Sequence, residues 1–175
     1  MIRSLTSSLP TFKALRLHEG LNVILAQKSP GATDRQTRNG AGKTCFLELV
    51  HFLLGASCRS EHFLQTEPLR SHSYAIDFDL AGKPTEVERT PANDNRIVIA
   101  NGDVSAWPRT SRLDKKTGHL VLSNTNWRRV LGNKMFGLPV PDDDEDEKRF
   151  GPTFRSMFSY FFSGAFLLIH LSSFG

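Results

Sequence analysis

Alternating hydrophobic and polar positions predict strands in two parts of the chain. Residues 12–17 alternate apolar with basic side chains, as a half-buried strand does, and Glu19-Gly20 is predicted to turn the chain. The almost continuously apolar run from Leu21 to Ala26 is typical of a central strand covered on both faces. Three further alternating segments lie at 73–80, 85–89 and 96–100, with turn sequences at Ala81-Gly82-Lys83 and Asn101-Gly102. They predict an antiparallel meander of about three strands over residues 73–102.

The clearest helical pattern runs from Lys43 to Leu54, where apolar residues cover almost every face. A helix of this kind must be buried, so we expect it to pack against a sheet, and Gly55 suits the left-handed position after its end. A second helix is predicted over 124–136. Its apolar side is formed by Trp127, Val130, Leu131 and Met135. Thr153 is expected to cap a final helix through Phe161 or so, whereas residues 103–120 predict no regular element.

The composition is that of a folded, soluble chain, because 39% of its 175 residues are hydrophobic and 23% are charged. Two cysteines are too few for a disulfide framework, and the amino terminus lacks the apolar core of a secretory signal, so a reducing cytoplasm is expected. The stretch from Met157 to Phe174 is apolar but interrupted by polar residues, and it falls just short of the ~20 apolar residues of a spanning helix. We therefore expect no membrane partner.

The formal net charge of +4 is unevenly distributed along the chain. Residues 1–141 carry 19 basic and 12 acidic side chains, whereas residues 142–147 form one uninterrupted acidic run. The excess of basic residues permits a polyanionic partner such as nucleotide phosphates or nucleic acid. The predicted organisation is a lobe at 1–138, an acidic linker at 139–152 and an apolar helical tail at 153–175.

The octapeptide from Thr37 to Thr44 matches the phosphate-binding loop pattern G-x-x-x-x-G-K-[ST] at seven of its eight positions. Thr37 stands where the first glycine is expected. Gly40 and Gly42 accept the dihedral angles that turn successive backbone N–H groups inward to surround an anion. The loop lies between a predicted strand and a predicted helix, whose N–H groups and dipole favour phosphate. The pattern therefore predicts a nucleotide site.

Each residue of this loop has an expected role. Lys43 would reach the β- and γ-phosphates of ATP, and the Thr44 hydroxyl would coordinate Mg²⁺. The apolar residues after Cys45 predict that its thiol is buried and inert. The predicted nucleotide-binding residues are Arg38, Asn39, Gly40, Ala41, Gly42, Lys43, Thr44 and Cys45, with Thr44 as the magnesium ligand.

The chain resembles a known group of proteins in three features. They are the loop sequence Asn39-Gly40-Ala41-Gly42-Lys43-Thr44, the predicted strand before it and Leu54-Gly55 after it. They are similar to the amino-terminal lobe of ABC-type ATPase heads of the chromosome-maintenance kind (SMC-like and RecN-like proteins). Among these, the chain looks most like uncharacterised bacterial ATPases of three-component defence modules. The resemblance rests also on the meander, on Trp127 with the later Phe136-Gly137-Leu138, and on residues 152–161.

The resemblance implies a P-loop NTPase fold of the α/β class, with a mixed sheet and an antiparallel meander inserted after the first helix. It also implies ATP and Mg²⁺ as cofactors, a role for Asn39 in holding the loop or the γ-phosphate, and pairing of two heads around the nucleotide. The sequence contains no apolar strand ending in Asp-Glu and no signature loop, so we expect hydrolysis only where a second lobe supplies them. Complete relatives carry coiled coils. The tail after Phe161 matches nothing in the group, which either a truncated or frame-shifted chain or genuine divergence would explain.

Two other functions stay open. A stand-alone P-loop kinase or GTPase would need an acidic magnesium partner, for which Asp77, Asp79 and Asp103 are the candidates. Asp77 and Asp79 would share one strand face, where a solvated surface is the simpler interpretation. A nucleic-acid-binding module with an incidental glycine loop would use basic and aromatic side chains together. Those residues are Arg109, Arg112, Lys115, Lys116, Arg128, Arg129, Trp107 and Trp127.

Overall fold

The computed structural model describes residues 1–20, 22, 43–140 and 151–160. Within them, seven strands form one sheet in the order β2-β1-β3-β4-β5-β7-β6, and every neighbouring pair is antiparallel. The strands are β1 (Ile2–Ser7), β2 (Leu15–Arg16), β3 (Tyr74–Leu80), β4 (Lys83–Arg89), β5 (Arg96–Asn101), β6 (Arg112–Leu113) and β7 (Leu120–Ser123). The helices are α1 (Lys43–Leu53), α2 (Asn124–Phe136) and α3, which covers residues 154–160.

The described chain is therefore an α/β structure built on an antiparallel sheet. A mixed sheet was expected, and no parallel pair occurs among the described strands. The predicted central strand at 21–26 lies outside the described residues except for Asn22. That residue belongs to no strand, and its side-chain amide bonds to the backbone of His18 and Gly20, where Gly20 turns the chain with φ of +90°.

The predicted meander is confirmed as β3, β4 and β5, but only one of its turns forms as expected. Ala81 and Gly82 make a two-residue turn with positive φ at both positions, 51° and 79°, which matches the twist of the paired strands. The prediction of a hairpin at Asn101-Gly102 is wrong. Only Gly102 of that pair has a positive φ, and the next strand to pair with β5 is β7, after a long connection.

Four strands, β1, β2, β6 and β7, were missed or overestimated. The segment at 12–17 forms only the two-residue β2, and no element was predicted for β1, which pairs with both β2 and β3. Residues 103–120 contain β6 and the start of β7. In β1 only Leu5 is fully buried, so the alternation that identifies a strand from sequence is weak there.

One face of the sheet packs on the helices and forms the core. Ile76 and Phe78 of β3, Val87 of β4 and Ile97 of β5 are buried on this face. Helix α1 packs against β3 and β4, while α2 packs against β3, β5 and β7. The prediction of a buried α1 followed by a left-handed glycine is confirmed, since Gly55 has φ of +97°.

The predicted second and final helices are confirmed, with one correction in α2. Trp127, Val130 and Leu131 are buried, whereas Met135 is 42% exposed because it lies outside the apolar stripe. Thr153 caps α3: its Oγ1 accepts a hydrogen bond from Ser156 N at 3.2 Å. Phe154 and Phe158 of α3 join the core. Among the described residues, no helix combines the length and the hydrophobicity needed to cross a membrane.

Candidate functional site

Helix α1 begins at Lys43, the penultimate residue of the phosphate-loop pattern. The residues before it, from Thr37 through Arg38, Asn39, Gly40 and Ala41 to Gly42, lie outside the described part of the chain, as does the acidic run 142–147. For Lys43 and Thr44 the structure describes the helical backbone only. It thus places the helix where the sequence pattern requires one.

The amino-terminal turn of α1 carries no acidic side chain. The partial positive charge of its unpaired N–H groups is therefore not neutralised by a carboxylate from that turn. Cys45 in this turn is exposed, so the prediction of a buried thiol is wrong. Two residues further on, Leu47 is 8% exposed and faces the core, which leaves Cys45 on the solvent side of the same helix.

The carboxyl-terminal end of α1 is held by side chains from two other elements. The indole N–H of Trp127 in α2 donates to the carbonyl oxygen of Leu53 at 3.1 Å, and Asn124 Nδ2 donates to that of Gly55 at 3.3 Å. Arg89 of β4 donates to the carbonyl oxygens of Phe52 and Ala56. Phe52 and Leu53 end α1, and Gly55 and Ala56 follow it directly, in the region where carbonyl groups run out of helical N–H partners. We call Arg89, Asn124 and Trp127 the α1 clamp.

Arg89 is the clamp residue with the largest electrostatic consequence. It is 1% exposed, its guanidinium lies 4.2 Å from the centre of the Phe52 ring, and it also donates to the carbonyl oxygen of Asp94. Burial lowers the pKa of Arg89 to about 10, partly offset by the nearby Asp94 carboxylate, so the side chain stays charged at neutral pH. A positive charge at this end of α1 is favourable with respect to the helix dipole.

The α1 clamp was not predicted from the sequence, although one signal was present. Thr85, Val87 and Arg89 alternate along β4, and all three face the core. An arginine at an inward position of an alternating strand must find hydrogen-bond acceptors, because a buried charge without them is very costly. Two of its acceptors, the main-chain carbonyls of Phe52 and Ala56 at the end of α1, are more than thirty residues distant in sequence.

His51 lies on the side of α1 that faces α3, where its ring meets Phe158 edge-on at 5.4 Å between ring centres. Burial, and then the charge of Arg155, lower the pKa of His51, while Glu48 opposes the shift. Burial and the charge of Arg128 likewise lower the pKa of Arg155. His51 therefore lies at the edge of the core, and its burial favours the neutral form of the ring.

Two of the three acidic candidates for a magnesium site are engaged in contacts of their own. Asp79 forms ion pairs with Arg3 and the amino terminus. Asp103 accepts hydrogen bonds from Lys83 and Ser105, which hold the pKa of its carboxyl far below the ordinary range. Asp77 lies on the same half-buried face of β3 as Asp79. No cluster of three metal-ligating side chains is found in the described ranges.

One of the two tryptophans predicted to stack on bases lies in the core. Trp127 is fully buried, and Trp107 packs on it with 5.7 Å between ring centres. Trp127 is therefore unavailable to a base, because its ring fills the core and its N–H is used in the α1 clamp. The stem of Arg128 lies against Gly55, at the end of α1.

The fold and these contacts define the chain as an α/β protein with an antiparallel sheet and a clamped, buried first helix. Comparison with protein-family models, curated proteins and solved structures finds no significant match to this chain.

Proposed function

We propose that this chain is a nucleotide-binding lobe that holds the phosphates of ATP, together with Mg²⁺, at the amino-terminal end of α1. The observation that carries the proposal is the start of α1 at Lys43. In the phosphate-loop pattern, the Lys-Thr pair opens a helix whose N–H groups bind the phosphates, and here Lys43 and Thr44 open an eleven-residue helix.

The surroundings of α1 support this function. The first turn contains no carboxylate that would repel phosphate. The rest of the helix is fixed by burial of Val50, Phe52 and Leu53 and by the α1 clamp at its far end. A rigid helix keeps its terminal N–H groups in place and lowers the ordering cost of ligand binding.

The proposed site residues are those of the sequence pattern, from Arg38 to Cys45, with Thr44 on the magnesium ion. As in the SMC-like heads that the chain resembles, this lobe would bind ATP in a P-loop NTPase fold and hydrolyse it only with a second lobe. Asp79 and Asp103 are already paired, which gives no support to a self-sufficient kinase or GTPase.

Titration with a fluorescent ATP analogue tests the proposal directly. We expect magnesium-dependent binding by the unaltered chain and a loss of about tenfold or more in Lys43→Ala, because a charged contact to phosphate is removed. Lys115→Ala is the matched control, since Lys115 is an exposed lysine in the turn before β7. Equal affinity of Lys43→Ala and Lys115→Ala would contradict the proposal.

The two cysteines offer a second test that needs no labelled nucleotide. Cys45 is exposed and adjoins Thr44, whereas Cys58 is 6% exposed, and burial raises the pKa of its thiol. A maleimide should therefore modify Cys45 first, and MgATP should slow that reaction severalfold. The protection should disappear in Lys43→Ala. If MgATP leaves the rate of Cys45 modification unchanged, nucleotide does not bind beside this residue.

A further inference from the structure

A polar groove lies at the other end of the sheet from β2, where β5, β6 and β7 meet the start of α2. It encloses about 370 Å³, within the range of small-molecule sites. Its lining combines three asparagines, two arginines, a serine and a threonine with the apolar Val121 and Leu122, and it includes no carboxylate. The lining residues used below are Asn93, Arg96, Thr110, Arg112 and Asn126.

The groove is rich in hydrogen-bond donors that the described part of the chain leaves free. The side chain of Arg112 is exposed and makes no hydrogen bond or ion pair within the described ranges. The side chains of Asn93, Thr110 and Asn126 likewise have no partner in the part of the chain that is described. Arg96 differs, because Asp114 holds its guanidinium and offsets its charge. Among the described residues that line the groove, Arg112 is therefore the cationic side chain that has no partner.

We propose that this groove is a second binding site, which takes a small ligand bearing phosphate. Arg112 would supply charge and a two-point hydrogen bond to phosphate oxygens, and the amides and the hydroxyl would bind the remaining oxygens. The α2 terminus is not the basis of the site, since the Ser123 hydroxyl already accepts the Asn126 N–H there. The groove shares no residue with the proposed nucleotide loop, so neither proposal depends on the other.

The donor set favours phosphate over a carboxylate ligand. One guanidinium fork occupies two of the roughly four acceptor sites of a carboxylate. Three additional neutral donor groups, at Asn93, Thr110 and Asn126, are more than the two remaining sites can accept. A phosphate or pyrophosphate offers three or more acceptor oxygens in different directions, which suits donors that come from a loop, a strand and a helix.

The experiment is calorimetric titration of the Lys43→Ala chain with inorganic pyrophosphate, which removes the proposed loop lysine from the measurement. Three further variants are made in that background: Arg112→Gln, Asn126→Asp and Lys115→Gln. Lys115→Gln is the matched control, because Lys115 is exposed, lies three residues from Arg112 and does not line the groove. Succinate, titrated in parallel, tests the preference for phosphate.

We expect the Lys43→Ala chain to bind pyrophosphate more tightly than succinate, and Arg112→Gln to weaken binding by about tenfold or more. Asn126→Asp should weaken it at least as much by repulsion, while the chain remains folded, because an acidic residue in the first turn of α2 is favourable there. Lys115→Gln should leave the affinity unchanged. The proposal is overturned if pyrophosphate does not bind, if Arg112→Gln and Lys115→Gln behave alike, or if succinate binds equally well.

Discussion

Replacing Trp127 with phenylalanine tests whether the α1 clamp stabilises the fold. The change removes the indole N–H that donates to the Leu53 carbonyl oxygen at 3.1 Å and keeps an aromatic ring in the core. Leu53 lies at the last position of α1, so its carbonyl has no partner within the helix. Both residues are 0% exposed, so water cannot replace the lost donor without a rearrangement.

The expected loss in the free energy of unfolding is about 2–4 kcal/mol. A buried carbonyl left without a donor costs about 1–3 kcal/mol, and the smaller ring leaves a cavity that adds to the cost. Trp107→Phe makes the same chemical change beside it. Trp107 is only half buried, and its indole N–H makes no hydrogen bond to the described residues, so we expect a loss below about 1 kcal/mol.

Urea denaturation followed by circular dichroism measures both variants against the unaltered chain. Each variant keeps one tryptophan, whose fluorescence gives an independent unfolding curve. A loss in Trp127→Phe that exceeds that in Trp107→Phe by at least about 1 kcal/mol supports the clamp. If the two losses agree within about 0.5 kcal/mol, the hydrogen bond to Leu53 contributes nothing measurable and our reasoning is refuted.

Three further changes follow from the same end of α1. Arg89→Lys keeps the charge but loses the planar fork that reaches three carbonyl oxygens, and it should lower the free energy of unfolding by about 2–3 kcal/mol in urea denaturation. Gly55→Ala should cost about 1–3 kcal/mol, because φ is +97° and the new Cβ would lie 2.7 Å from Arg128 Cγ. Folding lowers the pKa of His51 below its ordinary value of 6.5. Below pH 6.5 the unfolded chain therefore binds more protons than the folded chain. The contribution of His51 to stability is thus complete above pH 6.5 and is lost as the pH falls below it. In His51→Gln the denaturation midpoint should therefore fall less between about pH 7.5 and 5.5 than in the unaltered chain.

Each of these changes has an outcome that would contradict our reasoning, and Gly55→Ala also has a control variant. Gly118 also has a positive φ, +71°, but open space around it, so Gly118→Ala should cost only about 1 kcal/mol. An equal cost at Gly55 would mean that contact with Arg128 is unimportant. If Arg89→Lys is as stable as the unaltered chain, a positive charge at residue 89 is enough to stabilise the end of α1 without the planar fork. If the denaturation midpoint of His51→Gln falls with pH as much as that of the unaltered chain, groups other than His51 cause the acid sensitivity.

Local sequence patterns predicted most of the elements and the faces of the helices. The meander around Ala81-Gly82, both long helices and the Thr153 cap were recognisable, because each depends on residues close together in sequence. The phosphate-loop pattern at Thr37 to Thr44 is equally local. It remains a prediction, since its glycines lie outside the described residues.

Patterns that depend on partners distant in sequence misled the prediction. Asn101-Gly102 forms no hairpin, because β5 pairs next with β7 rather than with the segment that follows it directly. Trp127 was assigned a possible role in stacking on bases, but the carbonyl end of α1 uses its N–H. Cys45 is exposed because it lies on the solvent side of an otherwise buried helix.

By itself, the sequence determined where the chain forms helices, where it makes the Ala81-Gly82 turn, and which octapeptide has the chemistry to bind phosphate. Only the tertiary structure decided the strand order, the inward position of Arg89 as a clamp on α1, and the groove that collects free donors around Arg112. The physical reason is that hydrogen-bond acceptors at a helix end, and donors at a sheet edge, are satisfied by whichever residues folding brings near, and these lie far apart in the sequence.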